Sequence, residues 1–322
     1  MKKNKEYLPL VITLIIILSL TVGCNFLARP EEDNGGPEEP ETLILTLYFR
    51  DLTQKDYDSE PFGLVVPVEK KIAVSDNAPR RALEELIKGP EDKDAAGPVI
   101  SDEAEILDFF IEDSTCVVNL SHEFPLLEKG GREETEVFME AVISTLTEFS
   151  EISSVWLFLK GECWEDGHMA WGGPLNRPNN SREINLYFGD EEAIISGEPG
   201  QFGYVSPVER EVEWSTDPLR DVMEQLIKGP LPGETSTDNK PVTPSIPEDT
   251  MILSLTCPSF EERVVTINLR GADTAGTLGS SIFVRSVVYS LTTFPLVDQV
   301  LVQSDGEPWN DGHFTWNEPL GR

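Results

Sequence analysis

The chain has 322 residues, enough for two ordinary domains with short additional segments. Hydrophobic residues make up 39 %, which suits packed cores and is low for a protein built of membrane spans. Its 58 acidic residues against 25 basic ones give a net charge of −33, which would repel phosphate backbones and so argues against nucleic-acid binding.

In chain order, Lys2, Lys3 and Lys5 precede an apolar run from Leu8 to Leu20 that ends in Thr21-Val22-Gly23-Cys24. A basic start followed by a short apolar run reads as a signal peptide over residues 1–23 rather than a spanning helix. The small residue before Cys24 resembles a bacterial lipobox, although Thr21 stands where Leu is usual. The resemblance implies cleavage and lipidation at Cys24, and acyl chains bury about 0.8 kcal/mol per methylene in a membrane. The expected location is therefore the outer face of the cytoplasmic membrane, as an exported lipoprotein. Residues 24–43 follow as an acidic tether rich in Pro and Gly, with no apolar face.

The remainder is a tandem repeat. Leu86-Ile87-Lys88-Gly89-Pro90 returns as Leu226-Ile227-Lys228-Gly229-Pro230, and Leu47-Tyr48-Phe49 returns as Leu186-Tyr187-Phe188. Trp164-Glu165-Asp166-Gly167-His168 returns as Trp309-Asn310-Asp311-Gly312-His313, and Pro174-Leu175-Asn176-Arg177 returns as Pro319-Leu320-Gly321-Arg322. These matches define modules over 44–177 and 183–322, joined by a linker within Gly172 to Ser181.

Each module opens with a strand (Leu43–Phe49, Ile184–Phe188) and a second extended stretch (Gly63–Val74, Gly203–Val212). A short helix follows, with Leu83, Leu86 and Ile87 as the apolar stripe in the first copy and Val222, Met223, Leu226 and Ile227 in the second. Gly89-Pro90 and Gly229-Pro230 stop these helices. Strands at Ile106–Glu112 and Thr115–Leu120, and at Met251–Thr256 and Arg263–Leu269, lead into a longer helix. Its faces carry Phe138, Ala141, Val142, Thr145, Leu146 and Phe149, and Phe283, Ser286, Val287, Ser290, Leu291 and Phe294. A last strand, Ser154–Leu159 or Gln299–Gln303, closes the unit. The expected fold class is α+β: two tandem copies of a small mixed-sheet module with two helices packed on one face.

If Cys24 carries lipid, Cys116, Cys163 and Cys257 remain without CxxC or metal-ligand spacing. Cys116 and Cys163 share a module and could pair. The default expectation is three partly buried thiols.

The ordered pattern resembles the sporulation and spore germination domain of the GerM type, the germane or GerMN domain, over both modules. The likeness rests on the aromatic opening strand, the Leu-Ile-Lys-Gly-Pro helix end, Val118-Asn119-Leu120-Ser121, the Thr-Leu-Thr-x-Phe helix end and the closing Pro-Leu-x-Arg. That family commonly carries Asp where Asn119 and Asn268 stand, which argues against a shared acidic site there. The resemblance implies a fold similar to ring-building modules of secretion systems and an assembly or scaffold role in the sporulating envelope. Envelope proteins, sporulation proteins or a second copy of the chain are then the implied partners.

The motif Trp-x-Asp-Gly-His-x-x-Trp offers the candidate binding residues. Asp166-Gly167 and Asp311-Gly312 read as two-residue hairpin turns, which would set Trp309 opposite Phe314, His313 opposite Asn310 and Trp316 on the diagonal. Trp164, Trp171, Trp309 and Trp316 then form packed cross-strand pairs or, alternatively, a platform for peptidoglycan sugars. His168 and His313 could act as base or metal ligand, but no nucleophile and no further ligands are placed beside them, so catalytic residues, metal and cofactor are all expected to be none. Arg177 and Arg322 close the modules, either as ion pairs within each module or as contacts between modules.

Overall fold

A computed structural model of the chain describes residues 42–53, 64–73, 76–121, 132–164, 171–177, 181–213 and 215–322. The expected signal peptide, Cys24, the tether up to residue 41, the expected turn at Asp166-Gly167 and His168 lie outside these residues, while residues 42 and 43 of the expected tether already belong to the first strand. Among the described residues no helix is long and apolar enough to cross a membrane.

The first copy runs β1 (Thr42–Asp51), β2 (Val65–Ala73), α1 (Ala78–Lys88), β3 (Ala96–Gly97), β4 (Ile106–Glu112), β5 (Thr115–Leu120), α2 (Arg132–Leu146), β6 (Ser154–Leu159) and β7 (Glu162–Cys163). The second runs β8 (Ser181–Asp190), α3 (Glu191–Ser196), β9 (Val205–Glu213), α4 (Pro218–Lys228), β10 (Val242–Thr243), β11 (Met251–Thr256), β12 (Val264–Arg270), α5 (Gly276–Leu291), β13 (Gln299–Ser304) and β14 (Glu307–Pro308). Element for element the halves agree, apart from the extra turn of helix α3. The expected α+β class holds.

Each copy has a four-stranded mixed sheet, β4-β5-β6-β7 or β11-β12-β13-β14, in which only the central pair is parallel. The opening strands add a separate antiparallel sheet, β2-β1-β3 or β9-β8-β10. The central parallel pair requires a crossover, and the long helices α2 and α5 supply it. Phe138, Ala141, Val142, Thr145 and Leu146 are buried on α2, as are Phe283, Ser286, Val287, Ser290 and Leu291 on α5. The short helices end at Gly89 (φ 79°) and Gly229 (φ 77°), conformations that a side chain resists. Both start on a side-chain cap: Asn77 Oδ1 accepts from the Arg80 N–H at 3.1 Å, and Asp217 Oδ1 from the Arg220 N–H at 3.2 Å.

Hydroxyls on the long helices fasten the opening strands. The Tyr48 N–H donates to Thr145 Oγ1 at 3.0 Å, and the Tyr187 N–H donates to Ser290 Oγ at 2.9 Å. Asn119 and Asn268 also share one task. Asn119 Oδ1 accepts from the Gly161 N–H and Asn268 Oδ1 from the Gly306 N–H, each at 3.0 Å. These bonds fix the two-residue turns Lys160-Gly161 and Asp305-Gly306, where both residues have positive φ.

Residues Thr42–Arg322 form one compact unit with a core continuous through both copies. The joint covers one face of the first copy's mixed sheet. Phe110, Val117, Trp156 and Phe158 occupy that face by register. Phe260, from the β11–β12 connection, packs edge-on against Phe110 (6.1 Å) and Phe158 (5.8 Å), and Phe294 packs against Trp156 (6.4 Å). The Phe260 N–H donates to Gly161 O at 2.7 Å, the Gly172 N–H to Thr216 O at 3.2 Å, and Arg182 Nη1 to Ser154 Oγ at 3.1 Å. A Cβ on Gly172 would lie 2.7 Å from Asp217 Oδ1, so glycine is required where the first copy's closing segment meets the α4 N-terminus. Gly172–Leu175 therefore belongs to the first copy rather than to a loose linker, and Leu175 exchanges both backbone hydrogen bonds with Val155.

The joint also corrects the cysteine reading. Cys163 is disulfide-bonded to Cys257, across the copies and 94 residues apart, with Cα atoms 6.1 Å from each other. Cys116 is free and buried, and burial pushes its thiol pKa up. Spacing could not reveal the bridge, because the partners meet only when one module docks on the other.

Closing a loop of this length constrains the unfolded chain strongly. Replacing Cys163 and Cys257 together by Ser should lower unfolding stability by about 2–5 kcal/mol. Urea titration with and without reductant measures it, and identical midpoints would show that the bridge constrains nothing. Asp217 gives a second outcome. Burial raises its pKa, as do the Asp221 and Glu224 charges, against the Arg220 N–H and the Arg220 charge. A native carboxyl pKa above the unfolded one means that stability is lost as pH rises through the native value. Asn77 caps the equivalent helix without a charge, so Asp217→Asn should raise Tm near neutral pH. That gain should fade once acid protonates Asp217 in both states. A gain independent of pH would contradict the assignment.

Candidate functional site

The aromatic hairpin is a buried device. Trp164, Trp171, Trp309 and Trp316 are all at most 2 % exposed, so none offers a face on which a sugar could stack. In each copy a Phe from the long helix packs on the pair: Phe138 lies 5.9 Å from Trp164 and 6.2 Å from Trp171, and Phe283 lies 4.6 Å from Trp309 and 6.4 Å from Trp316. The indoles meet edge to face, at 6.4 Å and 6.5 Å. Three of the four use their N–H groups internally: Trp171 donates to Val155 O, Trp316 to Val300 O and Trp309 to Ala272 O.

The expected two-residue turn at Asp311-Gly312 is corrected. Asn310 pairs with Thr315, and the Trp316 N–H donates to Trp309 O at 2.8 Å, so Trp309 faces Trp316 and the turn spans residues 311–314. Asp311 rather than Gly312 organises it. Its carboxylate accepts from the His313 and Phe314 N–H groups and from the Thr274 and Ser280 hydroxyls. Partial burial opposes its ionisation, but the Ser280 and Thr274 hydroxyls and the two N–H groups outweigh it. They hold the carboxyl well below the usual carboxylate range.

Arg177 and Arg322 each bind their own module, the first of the two expected arrangements, and for Arg177 as an ion pair. Arg177 donates to Thr147 Oγ1 at 2.7 Å and to Ser144 O at 2.8 Å, lies 5.7 Å from the Tyr48 ring centre, and ion-pairs with Glu148. The Tyr48 hydroxyl donates to the same carboxylate at 2.9 Å. Burial raises the Glu148 pKa but is outweighed by the Arg177 and Tyr48 hydrogen bonds, so it falls below the ordinary value. Arg322 repeats the first part: it donates to Thr292 Oγ1 at 2.8 Å and to Tyr289 O at 2.7 Å, 5.7 Å from the Tyr187 ring. Thr293 stands where Glu148 would be, so the carboxylate is missing.

His313 and Arg322 converge on a cleft of about 540 Å³ beside α5. Arg285, Tyr289, Phe314 and Leu320 also line it. Arg285 and Arg322 each place a guanidinium 5.9 Å from the centre of the one Tyr289 ring, and Arg285 donates to the Tyr289 hydroxyl at 2.7 Å. Gly203 leaves the space Arg285 occupies, since a Cβ there would sit 2.8 Å from its Nε. The first copy has Glu140 at the Arg285 position, accepting from the Leu64 N–H at 3.3 Å, with a pKa raised by burial. Sequence reasoning missed Arg285 because one cation on an otherwise apolar helix face carries no motif. Its signal was the exchange of charge between the copies. Among the described residues no group of three His, Cys, Asp or Glu side chains is placed to hold a metal.

The family model for sporulation and spore germination, Germane, matches the chain twice, over residues 46–163 and 185–309. Among solved structures, the tandem GerMN domains of the sporulation protein GerM from Bacillus subtilis are 20 % identical, with 88 % of this chain and 97 % of that chain covered at a TM-score of 0.32. A putative lipoprotein from Clostridium perfringens is 21 % identical over 42 % of this chain and 87 % of its own, TM-score 0.29. The first GerMN domain of the same Bacillus protein is 23 % identical over 37 % and 84 %, TM-score 0.29. No curated protein sequence matches the chain. With the family model matched in both halves and over most of the chain, the protein belongs to the Germane family, the domain of sporulation and spore germination.

Proposed function

We propose that the protein is a non-enzymatic lipoprotein of the cell envelope, held on the outer face of the cytoplasmic membrane by lipid on Cys24. Its fused module pair acts there as a scaffold for envelope proteins during sporulation or germination. The observation that carries this reading is the joint. An apolar sheet face, a disulfide and backbone hydrogen bonds combine the modules into one body, so surfaces on the two are presented at a set spacing. A scaffold needs that property, and an isolated binding module does not.

The surfaces left open support the reading. Among the described residues β11 pairs with β12 alone and bears Met251 (52 % exposed) and Leu253 (40 %), while β4 pairs with β5 alone and bears Leu107 (47 %) and Ile111 (39 %). Edge strands with apolar side chains are places where other chains add. The buried indoles remove the basis for a sugar platform, so protein partners are the favoured class.

In a spore-forming host lacking the chromosomal gene, the full chain should fractionate with membranes and restore sporulation or germination. Cys24→Ala should move to the soluble fraction and fail to restore it. Membrane retention of Cys24→Ala would remove the lipid anchor from the account. Release of soluble fragments from purified cell wall by the full chain would overturn the non-enzymatic reading.

A further inference from the structure

We propose that the second module's cleft binds an acidic peptide segment of a partner protein, with Arg285 and Arg322 holding a carboxylate and the apolar floor taking a neighbouring side chain. This rests on the scaffold reading and names the partner chemistry for one surface of it.

The first module shows what the site lacks. There, Arg177 is closed by the Glu148 carboxylate, which also accepts from the Tyr48 hydroxyl. The second module keeps the arginine, its threonine and carbonyl acceptors and the tyrosine, but has Thr293 in place of the acid. It also adds a second guanidinium at Arg285 where the first module has Glu140. Among the described residues neither Arg285 nor Arg322 forms an ion pair, in a chain whose net charge is −33. Each guanidinium has five donors in a fork that matches a carboxylate, and the bonds each makes leave donors free. Val284, Val288 and Leu320 supply an apolar floor, and about 540 Å³ accommodates a short stretch of chain. Where an internal acid neutralises the arginine in one copy, an external acid completes it in the other.

The test uses the full chain in detergent and a fluorescein-labelled peptide of alternating glutamate and leucine, read by anisotropy. Saturable binding is expected, with the glutamine–leucine peptide failing to bind. Arg285→Gln with Arg322→Gln should weaken binding about tenfold or more, while Arg132→Gln, on the first module's helix, should not. Thr293→Glu should also abolish binding, by supplying the missing acid from within, and this variant does not depend on the double variant folding. Unchanged affinity in Thr293→Glu, or equal binding of the glutamine peptide, would overturn the proposal. So would inorganic phosphate competing as strongly as the peptide, or the same arginines holding phosphatidylglycerol vesicles or cell wall in preference to it. Peptide binding is measured on purified protein, so its failure leaves the cellular complementation result to decide the scaffold reading separately.

Discussion

One face of the first module's mixed sheet cannot stand in water, and the molecule is arranged around covering it. Phe110, Val117, Trp156 and Phe158 share that face, and each large side chain removed from water contributes about 1.5–3 kcal/mol. The other face is already taken by the module's own helices. A lone copy of this sequence would leave an aromatic patch exposed. The second module supplies the cover through Phe260 and Phe294, and the Cys163–Cys257 bridge ties the cover down. The corresponding face of the second module carries Thr266 opposite Leu301 and Asn268 opposite Gln303. Leu301 and Gln303 stand where the first module has Trp156 and Phe158, so the second module's face carries no aromatic patch that needs a cover.

Much of this architecture was legible in the residues. The repeat, the helix stripes, the Gly-Pro stops and the strand order all follow from local pattern, and local pattern is what a duplicated module preserves. The joint was not legible, because its contacts pair residues with no shared period. Cys163 and Cys257 look like two unmatched thiols until Phe260 is seated against Phe158. The hydroxyls of Thr145 and Ser290 carry a task that the helix pattern does not show. They sit in apolar stripes, and their work is to satisfy the N–H groups of Tyr48 and Tyr187, which would cost about 1–3 kcal/mol each if buried without a partner. The hairpin turn failed for a different reason. Asp-Gly is a strong two-residue turn signal, and here it is honoured at Asp305-Gly306 instead of Asp311-Gly312. In the latter, Asp311 uses its side chain to accept bonds within a longer turn, an option the dipeptide alone does not reveal.

Duplication lets the same sites be read twice, and the readings separate what the fold needs from what one copy adds. The Trp pair under a Phe, the Asn-held turn, the hydroxyl under the tyrosine N–H and the closing arginine recur with nearly the same geometry. Their recurrence in both copies marks them as parts of the fold: the indoles are wholly employed internally, while each closing arginine is anchored to its own long helix and only Arg177 also has a carboxylate. Single-copy features carry the opposite message. They are the joint, whose parts must differ because one side covers and the other is covered, and the cleft, where Arg285 replaces Glu140 and Thr293 replaces Glu148.

The direction of those two exchanges matters more than their number. In each, the second copy has a cation or a neutral residue where the first has an acid, in a chain where acids outnumber bases by more than two to one. Two guanidiniums lie 5.9 Å from the centre of one tyrosine ring, and among the described residues no acidic side chain forms an ion pair with either, so the two cations repel each other across it. The Tyr289 ring, its hydroxyl bound by Arg285, and the Thr292 hydroxyl and Tyr289 carbonyl bound by Arg322 hold the two cations in place, so that cost is met structurally rather than relieved by side chains swinging apart. A site kept preorganised at the expense of like-charge repulsion is complementary to an anion from outside, and the strongly acidic remainder of the surface confines that complementarity to this cleft.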